Sequence, residues 1–171
     1  MPSYLDFAVS YVQLPIAHLT ETGEFNVYFS TRNKDNQALG AMLSLEALQL
    51  KAFNEKPVLG FGKLGTFDDV GVMPTSIVEH RGDIYMYYIG WNVRNTIPYH
   101  NSIGLAIKKK GEEIFERFSD GPLIERTYKE PYFAGTACVL KEGDLWKMWY
   151  LSCTEWVLVH GKPEPRYLIR Y

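Results

Sequence analysis

Two acidic segments stand at matching places in this chain and carry groups suited to acid–base chemistry. Asp69 lies in Phe67-Asp68-Asp69-Val70-Gly71, and Glu130 in Lys129-Glu130-Pro131-Tyr132-Phe133. Aligning Pro74-Thr75 with Gly135-Thr136 sets Asp69 against Glu130, 61 residues on. Carboxylates that converge from adjacent units are what glycoside chemistry needs: one protonates a leaving oxygen, and the other assists water or stabilises an oxocarbenium-like centre. Burial or mutual repulsion raises the pKa of one of them so that it can act as the acid. The same residues suit plain turn chemistry, because Asp side chains bond local backbone amides and Glu-Pro commonly leads into a strand. Spacing leaves both readings open. Asp68 is the alternative to Asp69, since an extended segment lets only one of the two face inward; the alignment favours Asp69.

A second set of residues suits binding. Arg32 lies in Ser30-Thr31-Arg32-Asn33, Trp91, Asn92 and Arg94 in Gly90–Arg94, and Trp156 in Thr154-Glu155-Trp156. An indole stacks on the apolar face of a pyranose, while Arg and Asn donate to hydroxyl or carboxylate oxygens. Trp91 suits packing between units equally well. His100, in Pro98–Ser102, and Glu164 and Arg166, in Pro163–Tyr167, would complete a polar rim. His18, His80 and His160 are scattered without ligand spacing, so no metal is expected. No cofactor is expected either: Gly60-Phe61-Gly62-Lys63-Leu64-Gly65 resembles a dinucleotide fingerprint but lacks the strand–turn–helix context.

The elements that would position these groups repeat. An apolar strand, a turn with glycine then an acidic residue, and an aromatic-rich strand occur three times. The copies are Pro15–Leu19, Gly23-Glu24 and Tyr28-Phe29; Pro74–Val78, Gly82-Asp83 and Tyr87-Tyr88; and Gly135–Leu140, Gly143-Asp144 and Trp149-Tyr150. Such self-similarity marks a repeat architecture in which each unit buries its apolar face against a neighbour. Each unit reads as a four-stranded antiparallel blade: 7–60, 66–125 and 130–171, the third lacking its fourth strand. Expected strands are Val12–Leu19, Phe25–Arg32, Gly40–Leu45 and Pro57–Gly60; Val72–Glu79, Ile84–Trp91, Ser102–Lys108 and Pro122–Glu125; and Phe133–Lys141, Leu145–Cys153 and Arg166–Tyr171. Leu43–Phe53 is the one segment with near-helical spacing, and suits strand plus turn as well. The fold class is all-β, a partial β-propeller in a single domain. Since propellers close with about four to eight blades, the expectation is a piece of a longer chain or self-association through open blade edges.

Composition narrows the function classes. The 171 residues carry 18 Lys+Arg and 20 Asp+Glu, a net charge of -2, with no basic stripe able to follow nucleic acid. Lys108-Lys109-Lys110 runs straight into Gly111-Glu112-Glu113 and reads as a solvated turn. Aromatic residues make up 15% of the chain, which suits strands and sugar-binding surfaces alike. Cys138 and Cys153 fall on the two strands of the third hairpin several positions out of register, so both are expected as free core thiols. No apolar run reaches membrane-spanning length and no signal segment is evident, so no membrane partner and a soluble, cytoplasmic protein are expected.

Several segments in order resemble the five-bladed β-propeller proteins related to glycoside hydrolase family 43, and among them an uncharacterised bacterial branch associated with polysaccharide gene clusters. They are Gly65-Thr66-Phe67-Asp68-Asp69-Val70-Gly71-Val72-Met73-Pro74, Tyr87–Asn92, Asn101–Ile107, Met148–Ser152 and Pro163–Tyr167. The resemblance runs from about Phe7 to Tyr171 and implies that this chain corresponds to the first three blades. It also implies a carbohydrate ligand and an acidic residue leading into each of those blades: a base or nucleophile, a second stabilising carboxylate, and a general acid. Asp69 or Asp68 would match the second and Glu130 the third. The first is without a match, since Ser10 stands in its place and Asp6 is several residues early. The expected function is therefore a glycoside hydrolase-like protein acting on glycosidic bonds; the alternatives are a non-catalytic glycan-binding propeller using Trp91, Trp156 and Arg32, or an inactive fragment of a longer chain.

Overall fold

The computed structural model describes residues 6–171, and every regular element among them is a β-strand. Strands β1 (Ser10–Leu19), β2 (Phe25–Arg32), β3 (Ala38–Glu46) and β4 (Gln49–Phe53) pair in order as an antiparallel blade. A second blade follows from β5 (Gly71–His80), β6 (Asp83–Val93), β7 (Tyr99–Lys108) and β8 (Glu116–Arg117). The third contains β9 (Ala134–Glu142), β10 (Leu145–Val159) and β11 (Lys162–Arg170). Blades 1 and 2 are joined into one sheet by a single parallel ladder pair, Ala38 opposite Gly71, and the third is a separate sheet. The first strands β1, β5 and β9 lie side by side in succession, as in a propeller.

The turn glycines explain why the hairpins close where they do. Gly23, Gly82 and Gly143 have φ of 83°, 81° and 58°, which L side chains adopt only at a cost. Arg81 joins Gly82 at positive φ, 56°, between the paired His80 and Asp83, so the pair forms the two-residue turn that matches the twist of a hairpin.

Several expectations need correction. The fourth strands foreseen at Pro57–Gly60 and Pro122–Glu125 shrink to single bridges, Leu59 with Gly40 and Ile124 with Ile103. Outer pairing falls instead to β4 and β8. Of the two readings of Leu43–Phe53, strand plus turn holds, with Ala47 and Leu48 at positive φ reversing the chain. Both cysteines are free, but only Cys153 is buried; Cys138, opposite Trp149, faces out.

Alternation on β6 gives blade 2 two apolar faces. Ile84, Met86 and Tyr88 join Tyr28, Val58, Leu59 and Val72 in a core between blades 1 and 2. Tyr85 and Tyr87 face the other way, toward Ala134, Ala137 and Val139 of blade 3. Burial of each of the larger aliphatic side chains among them is worth about 1.5–3 kcal/mol. Polar stitches reinforce the second interface at a bulge in β5. The Thr75 hydroxyl accepts the Ala137 N–H at 3.2 Å, and the Ser76 hydroxyl accepts the Val139 N–H at 3.0 Å.

The ladders also set the true repeat distance. Met73 lies opposite Ile89 and Gly135 opposite Leu151, a shift of 62 in both strands, and Val72 opposite Gly90 matches Ala134 opposite Ser152. The bulge sits at Thr75 in blade 2 and at Thr136 in blade 3, one residue farther from the turn once that shift is applied. By this register Glu130 corresponds to Asp68, not to Asp69.

Candidate functional site

Side-chain contacts bear out that register. Tyr88 donates its hydroxyl to Asp68 Oδ2 at 3.0 Å, and Tyr150, 62 residues later, donates to Glu130 Oε1 and Oε2 at 3.1 and 3.3 Å. Each acid is thus fastened by the same tyrosine of the second strand of its own blade. Asp68 is fully buried, with Arg117 Nε donating to Oδ2 at 2.8 Å. The Thr66 hydroxyl, 3.0 Å from Oδ1, shares its proton between that oxygen and the Lys63 carbonyl. Arg117 also reaches the Gly60 carbonyl at 2.6 Å, so the ion pair ties the segment before β5 to β8. Burial first, and the Asp68 charge second, push the Tyr88 phenol well above the usual tyrosine range. Asp68 therefore braces the fold, since its acceptors are taken and solvent does not reach it.

Asp69 and Glu130 differ from it. Asp69 Oδ2 accepts the Gly65 N–H at 3.0 Å, while Oδ1 is buried with no partner among the described residues. Glu130 accepts a 2.6 Å bond from the Ser152 hydroxyl, with Arg170 Nε at 4.0 Å, and its side chain keeps 27% of its surface in solvent. Their polar neighbours are thus Gly65 for Asp69, and Tyr150, Ser152 and Arg170 for Glu130.

The first blade changes most. Gly40 lies opposite Ser30 and bridges Leu59, as Ile103 lies opposite Ile89 and bridges Ile124. Ser30 therefore corresponds to Ile89 and Arg32 to Trp91, which makes Ser10, opposite Arg32, the counterpart of Gly71 rather than of Asp69. Counting back the three residues that separate Gly71 from Asp68 leads from Ser10 to Phe7, adjacent to the exposed Asp6. Two register shifts in β1 hide this from simple spacing.

The binding candidates divide into two neighbouring cavities. One, of about 400 Å³, is lined by Arg32 and Asn36 from blade 1 and by Met73, Ile89, Trp91, Pro98, Tyr99 and Asn101 from blade 2. Arg32 holds its guanidinium 5.1 Å from the Trp91 ring centre and donates to the Asn36 carbonyl at 2.8 Å. Trp91 lies against Gly71, where a Cβ would collide with the indole. Asn101 points its amide toward Gly135 of blade 3, so three blades meet here. The second cavity, of about 430 Å³, takes Arg94 and His100 together with Arg126.

Other candidates lie elsewhere. Asn92 reaches the Thr66 carbonyl at 3.5 Å and leaves Oδ1 buried without a partner among the described residues. Trp156 belongs to an aromatic cluster, 5.5 Å from Tyr99 and 5.7 Å from Phe133, and so packs blade 3 onto blade 2. Arg166 is exposed and pairs with Glu155 at 3.3 Å, and Glu164 is exposed two residues earlier on β11; neither lines a cavity with Trp91. Glu164 still acts at a distance: after burial, its charge is the next cause raising the Tyr99 phenol.

Glu125, which no motif or spacing in the sequence singles out, is the most heavily bonded carboxylate beside the second cavity. It accepts His100 Nε2–H at 2.7 Å, the Ser102 hydroxyl at 2.6 Å and the Arg126 N–H at 2.7 Å. Burial acts to raise its pKa, but the three hydrogen bonds and the His100 charge outweigh it and hold the carboxyl at about 2, against an ordinary 4.5. A folded pKa below the unfolded one gives stability that is present above about 4.5 and lost as the pH falls toward about 2. Acid denaturation followed by circular dichroism should show a midpoint in that window, and Glu125→Gln should flatten the dependence there. An unchanged slope in Glu125→Gln would remove Glu125 as its source.

No family model matches the chain. Two uncharacterised proteins from two strains of Mycobacterium tuberculosis are each 34% identical to it over 170 residues, which is 98% of this chain. The chain spans 56% of the length of each of those relatives. Among solved structures, a thermostable family-43 glycoside hydrolase superposes with a TM-score of 0.66 at 15% identity, over 97% of this chain and 61% of that one. A sucrose-6-phosphate hydrolase from Lactobacillus gasseri gives 0.63 at 12%, covering 88% and 30%. A glycoside hydrolase-related protein of Parabacteroides distasonis gives 0.57 at 14%, covering 94% and 51%. The chain thus has the all-β fold of a partial propeller of the family-43 glycoside hydrolase type.

Proposed function

We propose that the protein is a carbohydrate-active propeller that holds an oligosaccharide in the cavity of Arg32, Trp91, Tyr99 and Asn101. The observation that carries this reading is the layered pair of Arg32 over Trp91 in a cavity of about 400 Å³ at the meeting of three blades. The indole fixes the guanidinium, so its donors are presented to sugar oxygens with little ordering left to do. Met73, Ile89 and Pro98 give the cavity an apolar side against which a pyranose face can rest. Trp91→Ala should weaken oligosaccharide binding by about tenfold to a hundredfold, as loss of a central aromatic anchor does. Calorimetry with a panel of plant and bacterial oligosaccharides measures this, and equal affinity in a folded Trp91→Ala protein would remove the cavity as the site.

A second reading adds hydrolysis. Glu130, part-exposed, and Asp69, with a free Oδ1, are its candidate carboxylates, and the register that brings Asp6 next to the first-blade position supplies a candidate third. In this reading Asp68, buried and paired with Arg117, acts as a brace rather than as a carboxylate of the reaction. On an oligosaccharide that the wild-type protein cleaves, Glu130→Gln should slow turnover by roughly 10²–10⁴-fold with binding retained. Full turnover in that variant would leave binding as the function.

A further inference from the structure

Strand β1 is more irregular beside the proposed sugar cavity than hairpin pairing requires. Ser10 pairs with Arg32 and Gln13 with Ser30, so Tyr11 and Val12 together stand against the single residue Thr31. This is a bulge, and a bulge re-aims the side chains it carries. Tyr11 takes a φ of 61° there, in the left-handed region that strains a bulky residue and that glycine ordinarily fills in such bulges. Leu14, with a φ of 53°, repeats the strain at the second register shift, and Gln13 between them leaves Oε1 buried with no partner among the described residues. The segment is nonetheless tied down: the Val9 N–H donates to the Arg32 carbonyl at 2.8 Å, and the Thr31 hydroxyl to the Ser10 carbonyl at 3.1 Å. Packing does not account for a tyrosine at this position, since Tyr11 leaves 62% of its surface uncovered by the described residues. Strain kept up without a packing return concentrates at binding and catalytic sites.

What Tyr11 does meet is Arg32. The Arg32 guanidinium carbon lies 5.9 Å from the Tyr11 ring centre and 5.1 Å from that of Trp91. One cation thus stands over two aromatic rings, Trp91 lining the cavity and Tyr11 beside it. The two rings are no farther apart than those two distances combined, which is within reach of a short oligosaccharide. An exposed phenol ring offers the same kind of apolar face to a pyranose as an indole does. From this we infer that Tyr11 is the platform for a second sugar unit, so that the site selects oligosaccharides over single sugars. The inference rests on the carbohydrate reading above, because the cavity of Trp91 must hold the first unit.

The test titrates the chain by calorimetry with glucose, galactose, mannose and xylose, and with the disaccharides and trisaccharides of each. For the sugar that binds, affinity should rise about tenfold from the single unit to its short oligomers, the return of one added stacked ring. Tyr11→Gly should lose that gain and keep the affinity for the single unit, while Tyr11→Phe, which keeps the ring, should retain the gain. Glycine relieves the left-handed backbone, so the thermal midpoint of Tyr11→Gly should be no lower than that of the wild type. That readout separates a platform from a packing residue. A length gain that is absent in the wild type or survives in Tyr11→Gly overturns the inference, as does a midpoint lowered by about 3 °C or more. In those cases the carbohydrate reading stands if Trp91→Ala still weakens binding of the single unit. Failure of every sugar in the panel to bind the wild-type protein overturns the carbohydrate reading, and this inference with it.

Discussion

Arg117→Met should destabilise the protein by about 3–5 kcal/mol, because it leaves the carboxylate of Asp68 buried and unpaired. Asp68 has no solvent exposure, and the remaining donors, Tyr88 and a shared Thr66 proton, do not neutralise it. Against a total stability of roughly 5–15 kcal/mol, a loss of that size puts the variant near the edge of folding. Urea denaturation followed by tryptophan fluorescence measures the change. Asp68→Asn/Arg117→Met should recover part of it, since the uncompensated charge is gone. A loss below about 1 kcal/mol in Arg117→Met would show that solvent reaches Asp68 and that the pair is not a brace.

Gly104→Ala should cost about 2–4 kcal/mol for the addition of one methyl group. Gly104 lies opposite Tyr88 in the ladder, and an added Cβ would come to 2.6 Å from the Tyr88 hydroxyl oxygen and 2.7 Å from Phe67 Cζ. Tyr88 and Phe67 stack with ring centres 5.9 Å apart, so neither ring yields without moving the other. Displacing Tyr88 also pulls its hydroxyl off Asp68 and leaves that acceptor buried. Gly121→Ala is the control: nothing lies within 4 Å of the added carbon, and its effect should stay within about 0.5 kcal/mol. Equal thermal midpoints for the two variants would mean that the Tyr88–Phe67 stack has room to shift.

Strand positions were legible in the sequence because local rules set them. A glycine at each hairpin turn and an aromatic pair after it located β2, β6 and β10 to within a residue or two at their starts. What the spacing concealed was the register, by one residue in the third blade and by more in the first. A bulge adds a residue without changing the alternation visible on either side of it. Thr75 and Thr136 occupy bulges at unlike distances from their turns, so matching Pro74-Thr75 to Gly135-Thr136 matched the bulges and misplaced the acids behind them. The division of Asp68 and Asp69 into brace and candidate was hidden for another reason. It depends on Arg117, which is 49 residues away and shows no periodic relation to either. Arg32 and Trp91, by contrast, were recoverable, since a shared place near the end of the second strand brings them to one cavity from adjacent blades.

The two-faced pattern of β6 bears on how the molecule opens. Among the described residues, blade 2 has both sides occupied, by Tyr28 and its neighbours on one side and by Ala137 and Val139 on the other. Tyr11 and Val12 of β1, and Leu158 and Ile169 of the last hairpin, still meet solvent. Within the described residues the amides of β6 are therefore covered from both sides, and they exchange with solvent only when both flanks have let go. The Asp68 brace, lodged between blades 1 and 2, belongs to that doubly covered region and opens with it.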